Sequence, residues 1–540
     1  MEKFKLLLGV NSAQKFIRDG IVLAADAITP TLGAKGRKIV LDAEFGPMDI
    51  LDDGAAILDA IELEDPKLQM GVKMLREAAN KTNDRVGDGT TTTSILASEL
   101  VKNIVFDDNP LLIKSKVGNI LKIKKELNGG VKKVIDFIDS HKIKIDDGGT
   151  ENIGTISSND PEIGKILAEL FKKLGRDASI ITSDGQGPDT SYEIVEGMSI
   201  DRGFIAKAMV TDTEKNQAVL ENARVLVTDY KIQNPQDIKV LLTLFKEGGV
   251  NDLLIIADDI QGTPLDFLVA NKLAGTIRVI GVKAPSVGDA KELLKDIAII
   301  SGAQIISKEN GLEFKDITSE HLGQASRVVS TFDDTSIIGG GGTPENVATR
   351  VKSIENQLEN TAMAFDKERL KERISKLGGG IGIIKVGGAT EPEVKDKRAK
   401  IDDAINAVRA ALKDGGIPGG GIALLRASLI LDDKIRGESI LKSAIQKPFE
   451  QIILNADFDV EIVRSKILAE ENINYGFNIE TEEYCDMVEA GIIDPALVAK
   501  TALQNAISIC LLVLTISGAN TLVRKKKDKS EYDGGTNYVE

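Results

Sequence analysis

The chain has no tryptophan, two cysteines and two histidines in 540 residues, and aromatic side chains make up only 4%. Cys485 and Cys510 are too few for a disulfide framework, so a reducing compartment fits. With only His141 and His321 to join them, a Cys/His zinc cluster is not supported. A Ser-His-Asp triad would need one of those histidines, and neither lies in a nucleophile motif. Positive charge is also short. Lys and Arg number 68 against 83 Asp and Glu, a net charge of -15. Such a surface repels phosphate backbones, so nucleic acid is not an expected partner. The one basic run, Arg524–Lys527, reads as a solvated tail, with a targeting or phosphate-binding role as the alternative. The N-terminus lacks a basic segment followed by a long apolar one, so no secretory signal is read. The most apolar stretch, Ala506–Val513, is shorter than the ~18 residues a membrane span needs. A cytoplasmic protein without a membrane partner is the expectation. No GxxxxGK[ST] run and no unit of 20–50 residues recurs, which disfavours a P-loop and a solenoid.

What is present is length, glycine and periodicity. Single cores stop growing at roughly 250–300 residues, so 540 residues imply two or three domains. Glycine is abundant at 51, without a collagen period. Apolar spacing predicts helices over Ala13–Ile28, Lys67–Asp84 and Thr92–Phe106, with a short strand at Lys38–Leu41. Ser179–Thr182 predicts a strand. Leu253–Ala257 and Arg278–Val282 are apolar runs between helical segments, the pattern of buried strands in a layered sheet. Glu345–Leu377 predicts one long helix or a helical hairpin, followed by a strand at Ile381–Val386. From about Lys400 the pattern is helical again. Helical ends around an α/β middle predict a domain built from both termini with others inserted.

Three glycine-rich runs carry candidate chemistry. Gly87-Asp88-Gly89-Thr90-Thr91-Thr92-Thr93 lies between two helical stretches. Glycines let backbone approach a ligand, free N–H groups at a helix start attract phosphate, and Asp88 offers a carboxylate to magnesium. The alternative is a plain helix cap. Thr31-Leu32-Gly33-Ala34-Lys35-Gly36-Arg37 has the composition of a phosphate loop without its spacing. Gly419-Gly420-Gly421 allows close approach to a base or ribose, or a turn between helices. Gly339–Gly342 adjoins no acid or hydroxyl cluster and reads as a flexible loop. Asp53 and Asp403 are candidate carboxylates for ATP hydrolysis, each otherwise a cap or a solvated face.

Taken together and in order, these runs resemble the group I chaperonins (the GroEL family), from about Ser12 to Gly518. Thr31–Arg37 is similar to the family's TLGPKGR, with Ala34 for the proline. Gly87–Thr92 matches GDGTTT, and Val195–Gly203 resembles VEGMQFDRG. Leu377–Glu391, Gly419–Arg426, Asn474–Asn478 and Gly491–Pro495 continue the series. The resemblance implies a multidomain α and α/β fold. An equatorial ATP-binding, ring-forming domain would span 1–136 and 414–540, an intermediate hinge domain 137–195 and 382–413, and an apical client-binding domain 196–381. Gly197, Gly380 and Gly415 would be hinges. ATP would be held by Thr31, Leu32, Gly33, Ala34, Asp52, Asp88, Gly89, Thr90, Thr91, Thr92, Gly420, Asn478, Ile479, Glu480 and Asp494. Asp88 would carry magnesium, and Thr31, Asp52 and Thr91 a potassium ion. Asp53 would lie beside the γ-phosphate, and Asp403 would position the attacking water. Non-native proteins would bind Phe204, Ala208, Met209, Lys239, Leu242, Leu265, Val269, Ala270 and Asn271.

The implied activity is ATP hydrolysis coupled to folding in a seven-membered homo-oligomeric ring, with a small lid co-chaperonin as a further partner. Several residues depart from the pattern. Asp52 stands where the family has lysine, which bears on potassium dependence. Ala208 and Met209 occupy usually aromatic positions, Lys207 replaces proline, and Lys239 replaces leucine. Those changes bear on client and lid affinity, and they keep a second reading open: a chaperonin-derived holdase or scaffold with few partners. Glu450 stands where a basic residue normally faces the opposite ring, so one ring and two remain alternatives. The charged tail Arg524–Glu540 replaces the usual Gly-Gly-Met repeats and is expected to be disordered. An unrelated metabolic enzyme is disfavoured, because no nucleophile or redox motif accompanies the nucleotide runs.

Overall fold

The structure is a computed structural model that describes residues 3–41, 49–51, 53–104, 120–176, 178–185, 187–212, 216–248, 252–284, 290–361 and 363–524. Asp52 and the tail beyond Arg524 lie outside these residues. The chain folds into two compact units. The first comprises Met1–Lys165 with Ala399–Glu540, and the second Ile166–Arg398. The segments 137–195 and 382–413, expected as a connecting domain, are divided between them.

The first unit is a helical assembly made from both ends of the chain. Helix Val10–Ile28 buries Ile17, Ile21, Ala24, Ala25 and Ile28, one stripe at helical spacing. That stripe packs on helix Pro66–Val86, which starts at Pro66 with Asp65 capping the Lys67 N–H at 2.9 Å. Gly20 and Gly71 mark the crossing. A Cβ on Gly20 would sit 2.0 Å from the Leu68 carbonyl oxygen, and one on Gly71 2.2 Å from that of Ile17. Bare backbone therefore sets the distance between these helices. Strands Lys3–Gly9 and Gly518–Arg524 pair antiparallel and tie the two chain ends together.

Helix Ala496–Thr515 corrects the reading of Ala506–Val513. Among the described residues it is the one helix long and apolar enough to cross a membrane by length and composition. It buries Ala502, Leu503, Ala506, Ile507, Cys510 and Val513 against helices Thr90–Ile104 and Pro66–Val86. Its apolarity is that of a core helix, with one stripe at Gln504, Ser508, Leu512 and Thr515 left exposed.

The second unit is α/β. Six strands form one sheet in the spatial order Arg278–Lys283, Asp252–Ala257, Ala218–Val227, Gly323–Ser330, Thr335–Gly340 and Gly197–Ile200. The first three are parallel and the remaining pairs antiparallel. Every residue of Asp252–Ala257 is buried, as its apolar run predicts. A smaller sheet places Ile381–Val386 between Ser179–Asp184 and Ser191–Val195. Glu345–Leu377 resolves as a hairpin of helices Pro344–Asn360 and Ala364–Gly378. Gly339–Gly342 is not a loose loop. Gly339 and Gly340 end a sheet strand, and the Gly342 N–H donates to the Ile300 carbonyl at 2.8 Å. A Cβ on Gly342 would sit 1.9 Å from the Ile299 carbonyl oxygen, so these glycines permit close packing over a helix end.

A buried charge cluster fastens that hairpin. Asp296, 0% exposed on helix Ala290–Ser301, accepts from Arg350 Nε at 2.7 Å and from Arg373 Nε at 2.8 Å. Burying a carboxylate costs several kcal/mol, and two guanidinium groups with fixed geometry are what offset it. Burial pushes the nearby Glu292 carboxyl up, but hydrogen bonds from Lys295 and Arg350 outweigh it and hold the group at about 2. Its folded value lies below its unfolded one. Its contribution to stability is therefore complete above the unfolded value of 4.5 and is lost as pH falls toward 2. Asp296→Ala is expected to destabilise this unit by about 3–5 kcal/mol, because it removes the fully buried partner of Arg373 and Arg350 and leaves both to Glu292 alone, read as a lower urea midpoint. A midpoint unchanged by the substitution would show that the cluster holds nothing.

Candidate functional site

The candidate site is built where several loops of the first unit meet. Helix Pro66–Val86 ends at Gly87, which adopts a left-handed φ of +67°. Gly89 has φ +83°, and helix Thr90–Ile104 begins at the next residue. Neither glycine can be replaced without strain. A Cβ on Gly87 would sit 2.2 Å from the Asn406 Cβ, and one on Gly89 2.8 Å from a Val498 methyl. The run thus turns tightly between two helices and presents the N-terminus of a 15-residue helix. Thr90 and Thr91 are buried at 7% and 9% exposure, and among the described residues their hydroxyls donate no hydrogen bond. Thr93 instead turns inward and donates to the Gly89 carbonyl at 2.8 Å.

Three carboxylates converge on this turn. Asp53 caps helix Gly54–Ala60, accepting from the Ala55 and Ala56 N–H groups at 3.0 and 3.1 Å. The following Gly54 lies against Thr91, whose Oγ1 would be 2.4 Å from a Cβ there. Asp88 is pushed above the ordinary aspartate range, by burial first and then by the charge of Asp53. The Gly89 N–H opposes that shift only in part. Asp494 lies on strand Ile493–Pro495, paired with Gly416–Pro418. Burial and the charge of Asp88 raise its carboxyl to about 6, against the pull of the Gly420 and Gly421 N–H groups. Asp88 and Asp494 each keep some solvent contact on one side, while protein crowds them on the others. Asp403 belongs to the same unit, on helix Glu391–Asp414. It is one turn before Asn406, the residue that abuts Gly87, and so shares a face with it.

The remaining predicted ligands frame the cluster. Thr31 closes a short 3-10 turn, its hydroxyl donating to the Ile28 carbonyl at 2.8 Å, and Gly33 has φ +92°. Asn455 was invisible to sequence reasoning. Its Nδ2 donates to the carbonyls of Thr29 and Leu32 at 3.0 and 2.8 Å and fixes this loop. Lys35 pairs with Glu482 at 3.2 Å, joining Ala34 and its neighbours to the turn after Asn478. The Asn478 side-chain oxygen accepts from the Glu480 N–H at 2.9 Å. Ile479 turns into the apolar core beside Phe477 and Met487, and Glu480 is exposed. Gly420 and Gly421 both have positive φ, and a Cβ on Gly421 would meet Phe449 backbone at 2.8 Å. Asp52 lies outside the described residues.

The site's donors fit a nucleotide with magnesium. The charge of Asp53 raises Asp88 and that of Asp88 raises Asp494, and a cation beside them would relieve that repulsion. Among the described residues no three His, Cys, Asp or Glu side chains could hold a metal by themselves. Magnesium is typically held by one or two carboxylates together with phosphates and water, which suits this arrangement. The helix N-terminus and the Thr90 and Thr91 hydroxyls supply phosphate donors.

In the second unit the predicted client residues divide. Lys239 and Ala270 are exposed, while Ala208, Leu242, Leu265, Val269 and Asn271 are half-buried on or beside the adjacent helices Pro235–Gly248 and Thr263–Leu273. Phe204 and Met209 depart from the expected surface role. Phe204 is 6% exposed and meets Phe332 edge-on, and the Met209 sulfur accepts from the Gly281 N–H at 3.1 Å. Leu273, largely exposed at the end of its helix, was not anticipated. Of the expected hinge glycines, Gly380 and Gly415 have φ +77° and +93°. Gly197 lies within a strand without positive φ, and its need for glycine is space, since a Cβ would sit 2.5 Å from the Ile337 carbonyl oxygen.

The chain matches the model of the TCP-1/cpn60 chaperonin family over residues 24–519, and it belongs to that family. Its fold is that of the crystal structure of the chaperonin gp146 from the bacteriophage EL 2 (Pseudomonas aeruginosa), solved in presence of ATP-BeFx. The TM-score is 0.71 at 20% identity, covering 96% of this chain and 100% of that one. The protein is thus a divergent GroEL-like chaperonin with the multidomain α and α/β architecture of the family.

Asp494 gives a signed pH dependence. Its folded value of about 6 exceeds its unfolded value of 3.8, so the folded state binds the extra proton between them. Without nucleotide, stability from this group falls as pH rises from about 4 to 6. Asp494→Asn should flatten that part of the stability–pH curve, measured by urea unfolding at pH 4.5 and 7. An identical slope in the variant would remove Asp494 from the like-charge cluster.

Proposed function

We propose that this protein is an ATP-driven folding machine. The observation that carries the proposal is the convergence of Asp53, Asp88 and Asp494 near a helix N-terminus whose Thr90 and Thr91 hydroxyls donate no hydrogen bond among the described residues. Bound Mg-ATP would supply the phosphoanhydride whose cleavage drives the cycle. Gly89–Thr92 hold the phosphates through backbone N–H groups and hydroxyls. Asp88 carries the magnesium, and Asp53 stands beside it. Thr31–Ala34 on one side, and Gly420, Asn478–Glu480 and Asp494 on the other, enclose the adenosine. Thr31, Thr91 and Asp52 are the proposed potassium ligands.

Asp403 orients the attacking water. It sits on a helix whose first residues belong to the other compact unit, so its placement is open to control from there. The hinges are Gly197, Gly380 and Gly415, and the working domains are the three expected from the sequence. The assembly is a ring of seven copies, single or double, with non-native proteins bound along helices Pro235–Gly248 and Thr263–Leu273 and a lid protein sharing that face. Both cysteines are free, which supports a reducing, cytoplasmic setting.

A specific observation keeps the narrower reading alongside. Phe204 and Met209 are buried and Lys239 is exposed, so the client face is less apolar than a general binder needs. That favours a holdase or scaffold with few partners.

Asp403→Ala is expected to lower ATP turnover at least a hundredfold while leaving ATP affinity within about threefold, because it removes a group acting on water rather than on the nucleotide. Wild-type turnover in this variant would remove Asp403 from the reaction. Refolding of a panel of unrelated proteins by the wild type separates the readings: general rescue supports the folding machine, and capture of a single partner supports the scaffold.

A further inference from the structure

Beneath the phosphate turn lies a polar chain that the nucleotide-contacting residues do not explain. Thr82 and Thr93 are 0% exposed, and Asn505 is 7% exposed. They come from three different core helices, Pro66–Val86, Thr90–Ile104 and Ala496–Thr515. Asn505 Nδ2 donates to Thr82 Oγ1 at 2.8 Å. Thr82 Oγ1 and Thr93 Oγ1 are 3.0 Å apart, and Thr93 Oγ1 donates to the Gly89 carbonyl at 2.8 Å.

Each hydroxyl has one proton, which restricts how these contacts coexist. Thr93 spends its proton on Gly89. The Thr82–Thr93 contact therefore requires Thr82 to donate, and Thr82 in turn accepts from Asn505. The result runs one way, Asn505 to Thr82 to Thr93 to the Gly89 carbonyl. The Ala78 carbonyl, 3.0 Å from Thr82 Oγ1, competes for the same proton as a helical back-bond. The chain direction is favoured because successive donors polarise one another in a low-dielectric interior.

The chain ends on the atom that decides the geometry of the turn. The Gly89 carbonyl also accepts from the Thr93 N–H at 2.9 Å, so both of its lone pairs are used inside the protein. A peptide plane is rigid, and its C=O and N–H point in opposite directions. Fixing the Gly89 carbonyl toward the core therefore aims the Thr90 N–H outward, toward the phosphate position. Gly89 itself has φ +83°, and the close Val498 contact leaves no room for a Cβ there.

We propose that Asn505, Thr82 and Thr93 are positioning residues that preset the phosphate turn from inside the core, and that they act as one chain rather than as three packing contacts. The proposal rests on the reading of the turn as a nucleotide site. It adds that helix Ala496–Thr515, which directly follows the strand bearing Asp494, grips the opposite wall of the same site through Asn505.

The test is equilibrium binding of Mg-ATP well below the thermal midpoint of each variant. Thr93→Val keeps the shape and removes the hydroxyl, and roughly tenfold weaker binding is expected. Thr93→Ser restores the hydroxyl and should return affinity to within about twofold of wild type. In the double variant Asn505→Leu/Thr93→Val the two losses should fail to add, because a chain broken once has little more to lose. If Thr93→Val does not fold, Asn505→Leu breaks the chain at its far end and should show the same tenfold loss. Folded variants with wild-type affinity, or losses in the double variant that multiply, would overturn the chain while leaving the nucleotide site intact. A wild type that binds no Mg-ATP would overturn both.

Discussion

Most carboxylates in a folded protein stand apart from one another or beside a cation, and where two or three are crowded together, something must compensate. In the first unit Asp53, Asp88 and Asp494 are gathered around one helix start, and burial together with mutual repulsion lifts Asp88 and Asp494 out of the ordinary aspartate range. Like charges brought together in a crowded place cost stability in the free protein. On the proposed function, a cation with an attached polyphosphate would reverse that cost, because it would bring positive charge to the acids and negative charge to the helix N-terminus in one molecule.

The surrounding architecture serves to hold that tension in place. The glycines of the site are fixed by steric limits from their neighbours: Asn406 against Gly87, Val498 against Gly89, Phe449 against Gly421. Asn455 pins the Thr29–Leu32 turn, and the strand carrying Asp494 is paired with Gly416–Pro418, directly after the Gly415 turn. Long core helices supply the rigid frame, and loops at their ends supply the chemistry. The helix bearing Asp403 begins in the residues of the α/β unit and ends in those of the helical unit.

The fold's elements were largely legible in the sequence where periodicity was strong. Strand Ile381–Val386 and the buried runs at Leu253 and Arg278 came from uninterrupted apolar stretches. Glycine was harder to read. At Gly87 and Gly89 it marks a tight turn ahead of a helix start, whereas at Gly339–Gly342 it marks close packing between a sheet and a helix end, and local composition does not separate the two. Polar residues interrupt the apolar run of Ala496–Thr515 in sequence, although three-dimensional packing buries its Asn505 with a partner. Motif order picks out Asp53, Asp88 and Asp494, which the fold brings near one another. It gave no sign of Asn406, Asn455 or Thr82, whose roles depend on what the fold brings beside them. The client face was read from position alone, and the inward turn of Phe204 and Met209 follows from the core they fill.

The central claim is that the crowded acids are completed by a nucleotide carrying its magnesium. Calorimetric titration of the purified full-length chain with ATP, in excess magnesium and again in EDTA, addresses it most directly. The account predicts saturable binding with magnesium and affinity at least tenfold weaker without it. Equal affinity in both conditions, or no binding in either, would contradict it.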